Sequence, residues 1–406
     1  MAKQQPHADY VAVWGAVAFG AILASYSVLR PVRDALALEG DPDKIPWLFS
    51  ATFVAMVVVS PVWSAALLRF GRRRLVPPSF HVFAACAIVF AILVALAVAP
   101  VDVGRAFYVW ASVFNLFVVS VFWSLLADLL GPTTARSLYG PIAAGGTVGA
   151  LVGPTLTKGL VGSIGVEGVL VVSAALLELA VIAVHQVRKA GEALERAPEA
   201  AADRPRTRPE LARDAGYLAG IGVYVLCTAV AATFMYFEQA HFTKGAFSDK
   251  VARTEFFALL DLGTNLIAFA LQTLVAARLL KWIGPGLVMI VLPIAQAFGI
   301  TMFVLAPSVI ALAAVQITTR AATHALTRPA RELLFTVIEP GAKYWAKNAI
   351  DTIVYRFGDV SSAWLFVWLT SGGDRTLLVI TAPLVVLWIA AALWLGHGFR
   401  RRTVDR

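Results

Sequence analysis

Charge is what this chain lacks most. Of its 406 residues, 15% are Asp, Glu, Lys or Arg, against 59% that are hydrophobic. Soluble domains carry about 25% charged residues, so the deficit excludes a soluble enzyme, a disordered chain and a protein that is basic in order to bind nucleic acid. Cysteine is scarce as well. Cys86 and Cys227 both lie in apolar runs, which excludes a disulfide framework or a cysteine metal cluster. Neither H-E-x-x-H nor C-x-x-C occurs, so no metal or other cofactor is expected. The phosphate-cradling G-x-x-x-x-G-K-[ST] loop is missing, which argues against ATP-driven pumping. No Ser-His or Cys-His arrangement stands out, and the chain is not expected to be an enzyme. No short apolar segment with an A-x-A cleavage site precedes the long apolar run that starts near Tyr10, so no removable signal peptide is expected.

Long apolar runs are abundant, and mean hydropathy is +0.77. A helix crossing about 30 Å of hydrocarbon needs roughly 20 such residues. Twelve runs qualify, at about 10–37, 45–68, 75–99, 105–131, 138–163, 166–187, 215–241, 252–280, 284–306, 308–337, 345–371 and 375–398. Basic residues at Lys3, Arg69, Arg72–Arg74, Arg136, Arg188–Arg213, Arg278, Lys281, Lys343, Lys347, Arg400–Arg402 and Arg406 would share one side of the membrane. They outnumber Lys44, Arg105, Lys158, Lys244, Lys250, Arg253 and Arg375 on the other side about threefold, which places both termini in the cytoplasm. The polar, Pro-rich stretch 188–214 divides the chain into an N-terminal six-helix bundle (1–187) and a C-terminal six-helix bundle (215–406), and reads as a flexible cytoplasmic linker. The expected product is an all-α, multi-pass protein of a bacterial inner (plasma) membrane.

The halves repeat each other. Leu67-Leu68-Arg69-Phe70-Gly71-Arg72 answers Leu279-Leu280-Lys281-Trp282-Ile283-Gly284, and the loop at Pro132-Thr133-Thr134-Ala135-Arg136 answers Pro340-Gly341-Ala342-Lys343. Two six-span halves in one orientation imply a parallel repeat about an axis along the membrane normal. Arg69-Phe70-Gly71-Arg72-Arg73-Arg74 resembles the D-R-x-G-R-R corner of the major facilitator superfamily, with Leu68 in place of the acid. The resemblance implies two bundles, a central cavity and alternating access.

Ionisable groups at membrane depth are costly and point to function. Tyr26, Arg30 and Arg33 share a helical face around Pro31, which should kink the first span. A plainer reading has Arg33 and Asp34 snorkelling at the outer interface. Arg320, His324, Arg328 and Arg331 follow i, i+4, i+8, i+11, a basic stripe with Glu332 beside it. Acids answer from other spans: Asp128, Glu238, Asp261 near Asn265 and Gln272, and Asp351 with Tyr355, Arg356 and Asp359. Each acid either closes a gate by pairing with arginine or touches substrate or an ion. Gly145, Gly149 and Gly153 have the small-xxx-small spacing of close helix packing.

Several of these segments together resemble the nucleotide transporter family, the ATP/ADP antiporters of plastids and intracellular bacteria with their free-living bacterial relatives. Leu29-Arg30-Pro31-Val32-Arg33-Asp34 looks like that family's L-R-D-T-K-D, and Phe122-Trp123 with Asp128 looks like F-W-G-F-A-N-E. Glu238 sits where the seventh span carries a glutamate. Pro329-Ala330-Arg331-Glu332 is similar to P-T-K-E, and Lys347-Asn348-Ala349-Ile350-Asp351 to K-A-A-I-D. The resemblance implies nucleotide exchange, with roles for Arg33, Asp128, Glu238, Arg331 and Lys347.

Three functions stay open. The first is exchange of an organic anion, a nucleotide such as ATP or ADP or another phosphorylated metabolite. It would bind at Tyr26, Arg30, Arg33, Arg320, His324, Arg328, Arg331 and Lys347. Asp34, Asp128, Glu238, Asp261, Asn265, Glu332, Asp351 and Asp359 would gate or couple. The second is proton-coupled efflux of cationic or amphipathic compounds through Asp128, Glu238 or Asp261. The third is a membrane scaffold or sensor acting through 188–214. The intramembrane arginines favour the first. A monomer with a small-molecule substrate and a lipid surround is expected, without nucleic acid.

Overall fold

A computed structural model describes residues 5–70, 72–130, 132–191, 211–338, 343, 346, 347, 349–370 and 376–404. The described residues form helices and short turns and contain no strand. In chain order the helices are α1 (Gln5–Ala37), α2 (Ile45–Phe70), α3 (Arg72–Ala95), α4 (Pro100–Leu129), α5 (Pro132–Gly191) and α6 (Leu211–Ala246). They continue as α7 (Lys250–Leu271), α8 (Ala277–Leu305), α9 (Val309–Ala322), α10 (Arg328–Leu334), α11 (Tyr355–Thr370) and α12 (Thr376–Val404). Wider π turns at Gln272–Ala276 and Thr323–Thr327 join α7 to α8 and α9 to α10, and a third, Ala349–Val354, leads into α11.

Nine stretches of the described residues are long and apolar enough to cross a membrane. Two of them, Ser137–Gly191 and Lys250–Leu305, run to 55 and 56 residues, well over twice the ~20 that one crossing needs. Each contains one residue with non-helical backbone angles. Gly165 (φ 71°, ψ 176°) and Gly284 (φ 77°, ψ 169°) adopt a backbone conformation open to glycine alone. Large apolar side chains such as Val58, Val62, Trp282, Ile310, Trp368 and Val386 lie on the outside, as a lipid-facing surface requires.

Helix α1 continues through Pro31 without leaving helical geometry. The stretch expected to be a linker is shorter at both ends: α5 runs on to Gly191 and α6 begins at Leu211. Residues 192–210 lie outside the described residues, as do Gly71 of the basic corner, Pro340–Ala342 of the second proline-led loop, and Asn348.

The described residues fall into two compact units. The first comprises those of Met1–Ala201 together with Phe247–Leu262. Its centre is the packing of α1 on α5, where glycines remove the side chains that would hold the backbones apart. A Cβ on Gly149 would lie 2.0 Å from the Gly20 carbonyl oxygen, one on Gly145 2.2 Å from that of Ala16, and one on Gly153 2.6 Å from that of Ala24. The small-xxx-small spacing is thus spent on helix contact. Ser25 and Ser173 bond through their hydroxyls at 2.8 Å, and Phe19 stacks on Phe122 of α4. The second unit comprises the described residues of Ala202–Ala246 and Gly263–Arg406. There Gly286 of α8 meets Gly396 of α12, and the buried Tyr224 hydroxyl donates to the Met289 carbonyl at 2.8 Å.

Candidate functional site

In the first unit, the charged end of α1 is neutralised on two sides. Arg33 donates from Nε and Nη2 to the same Asp34 oxygen, at 2.9 and 2.7 Å. Its guanidinium carbon sits 4.9 Å from the centre of the Tyr108 ring on α4, a cation–π contact. Arg30 turns instead to α7, where its Nη1 lies 3.6 Å from Asp261. Asp34 and Asp261 are 8% and 5% exposed, so both carboxylates are buried against their arginines. Tyr26, partly buried, occupies the same stretch of α1. The shared face expected for Tyr26, Arg30 and Arg33 therefore sends its two guanidinium groups to different neighbours.

The same unit holds a cluster that the sequence reading passed over. Arg253, assigned there to an outer loop, is 6% exposed. Its Nε donates to the Phe247 carbonyl at 2.8 Å, Nη2 to the Ser248 carbonyl at 3.3 Å, and Nη1 to the Leu38 carbonyl at 3.3 Å and to Glu39 at 3.4 Å. Asp249 precedes the helix and accepts from the Ala252 amide, fixing where α7 starts. Three of the four acceptors on Arg253 are backbone carbonyls, which carry no residue signature.

In the second unit, the basic stripe is broken. Arg320 is half-buried in the last turn of α9, His324 lies inside the π turn, and Arg328 is exposed at the start of α10. The cause is local. Pro329 has no N–H to give to a preceding carbonyl, and the Arg328 N–H bonds to Thr323, five residues back. The π turn takes up an extra residue, so the four side chains lose their common α-helical phase. The His324 carbonyl, which a continuing helix would have bonded, instead accepts from the Gln272 side chain at 3.2 Å. Gln272 opens the other π turn.

Below the π turn, the basic and acidic members of two sequence patches pair with each other. Arg331 reaches Asp351 at 2.9 Å, and Lys347 reaches Glu332 at 2.5 Å. These pairs tie α10 to the stretch that leads into α11. Asp359 pairs with Arg356 at 3.6 Å, one turn apart on α11. Of the remaining candidates, Asp128 is half-buried at the end of α4, Glu238 half-buried on α6 and Asn265 half-buried on α7. Among the described residues, no group of three or more His, Cys, Asp and Glu is placed to hold a metal ion.

Long apolar helices that carry charged side chains in buried pairs mark an integral membrane protein. The chain belongs to the Major Facilitator Superfamily, whose profile matches residues 14–323. Solved structures share the fold. A mutant of the nucleoside transporter NupG matches at 10% identity over 97% of this chain and 99% of its own, with a TM-score of 0.63. A bacterial homologue of the iron transporter ferroportin, in an inward-facing state, matches at 10% identity over 98% of each chain, with a TM-score of 0.64. A D-xylose–proton symporter matches at 12% identity over 95% of each chain, with a TM-score of 0.60. At such identities the likeness is one of fold. No curated protein matches the chain.

Proposed function

We propose that the protein exchanges an organic anion, a nucleotide or another phosphorylated metabolite, across a bacterial inner membrane by alternating access. The observation that carries this reading is the pairing of Arg33 with Asp34 and Arg30 with Asp261 inside the first unit. Two guanidinium groups at depth need anions. The acids serve in the absence of substrate, and a phosphate competes for the same donors with a geometry that guanidinium matches. Tyr26, Arg30 and Arg33 contact the anion in this reading, while Asp34 and Asp261 gate. The resemblance of the α1, α10 and 347–351 segments to ATP/ADP antiporters favours a nucleotide.

The topology belongs to the same proposal. Breaking the two over-long stretches at Gly165 and Gly284 and adding α11 to the nine apolar stretches makes twelve crossings, with both termini cytoplasmic by the distribution of basic residues.

Thermal unfolding of the purified protein with millimolar nucleotides and related phosphates tests the assignment. A ligand at about 100 times its dissociation constant adds roughly 2.7 kcal/mol. A shift with one nucleotide that disappears in Arg33→Ala supports exchange of that nucleotide. The buried Asp261 favours the rival reading, proton-coupled carriage of cations. A shift with cationic amphiphiles alone, and transport that collapses with an uncoupler, would replace the anion by a cation.

A further inference from the structure

We propose that the second unit carries a separate phosphate-binding site where α6 begins and α12 ends, suited to the headgroup of an anionic lipid or to a soluble phosphate ester. A cavity of about 310 Å³ lies there, walled by Gly216 and Tyr217 on α6 and by Trp394, His397, Arg401 and Arg402 on α12. That volume is at the lower end of small-molecule sites.

Its charge is positive. Arg402 is held in place by Asp214 and lies 4.6 Å from the centre of the Tyr217 ring. Asp214 is thereby engaged, and Arg401 stands exposed with no ion-pair partner among the described residues. The Tyr217 hydroxyl is buried with no hydrogen-bond partner among the described residues, an arrangement that costs free energy. Gly398 brings α12 onto the Tyr217 ring, since a Cβ there would already lie 3.1 Å from it. Gly216 leaves open space, with nothing within 4 Å of where its Cβ would be.

The position suits an amphipathic phosphate. The apolar stretch Thr381–Thr403 ends in Arg400, Arg401 and Arg402, which sets the cavity at headgroup depth. Trp394 and Tyr217 give flat apolar walls, and guanidinium groups give the donors. None of these residues belongs to the proposed transport site.

The test is thermal unfolding of delipidated protein in detergent. Phosphatidylglycerol is compared with phosphatidylcholine in one arm, and inorganic phosphate and ATP without lipid are compared with buffer in the other. At least one phosphate source is expected to raise Tm, with the rise more than halved in Arg401→Gln and lost in Gly216→Glu, which puts a carboxylate into the open space. Gly216→Ala, which adds no charge, should respond like the parent chain and controls for folding. A rise with phosphatidylglycerol alone assigns a lipid. A rise with phosphate or ATP that persists in Arg33→Ala assigns a soluble ester. The proposal is overturned if no phosphate source raises Tm, if Arg401→Gln and Gly216→Glu respond like the parent chain, or if Gly216→Ala also loses the response.

Discussion

At Arg33 the shape of the guanidinium matters as much as its charge. Two of its N–H groups converge on one Asp34 oxygen while its face lies on Tyr108. Lysine would keep the charge but neither the fork nor the stacking plane. Arg33→Lys is therefore expected to lose most of the nucleotide-induced rise in Tm, and Arg33→Ala all of it. Arg33→Ala also removes a partner from a buried carboxylate and should destabilise the protein by up to about 3 kcal/mol. Adding Asp34→Ala should recover part of that stability without restoring ligand binding, a contrast that calorimetry can read. A smaller effect is expected at Gln272. Replacing it by Leu withdraws the donor from the His324 carbonyl, and the cost should be about 1 kcal/mol, seen as faster amide exchange around residues 324–329. Arg33 was legible because a charge in an apolar run stands out. Arg253 was not, because its partners at residues 38, 247 and 248 are backbone carbonyls brought together only by folding.

Between elements, glycine decides how closely helices approach and where they end. The spacing of Gly145, Gly149 and Gly153 announced a helix contact, and only the identity of the partner, α1, had to come from the structure. Gly149→Val should force α1 and α5 apart and cost about 1–3 kcal/mol as overpacking, measured by thermal unfolding in detergent. Gly284→Ala meets no neighbour, yet should cost about 1–3 kcal/mol through backbone strain alone. A Gly284→Asn variant, no better suited to that backbone, should not rescue it. The π turns were illegible. Pro329 signals a helix interruption but not its kind, and the Gln272 side chain that completes it lies 52 residues away in sequence. For that reason the even spacing of Arg320, His324, Arg328 and Arg331 suggested one face where the structure has none.

On the scale of the whole molecule, hydropathy revealed a membrane protein at once, and composition marked the polar stretch in its middle. What composition does not mark is the place of Phe247–Leu262. Covalently these residues follow α6 and precede the rest of the second unit, but they pack in the first, held by Arg253 on Glu39 and Leu38 and by Asp261 on Arg30. This bears on any attempt to divide the chain. Of two polypeptides made by opening the gene near residue 200, the shorter would miss a helix-forming piece of its own unit, and the longer would carry that piece in addition to all of the second unit. Co-expressed with an affinity tag on one fragment only, they are expected to be recovered together, as a complementing pair whose union is the insertion of that piece. Recovery should fall when the second fragment carries Arg253→Ala with Asp261→Ala. The first fragment expressed alone should be the less stable of the two, since it lacks the ion-pair partners that residues 247–262 give to Glu39 and Arg30.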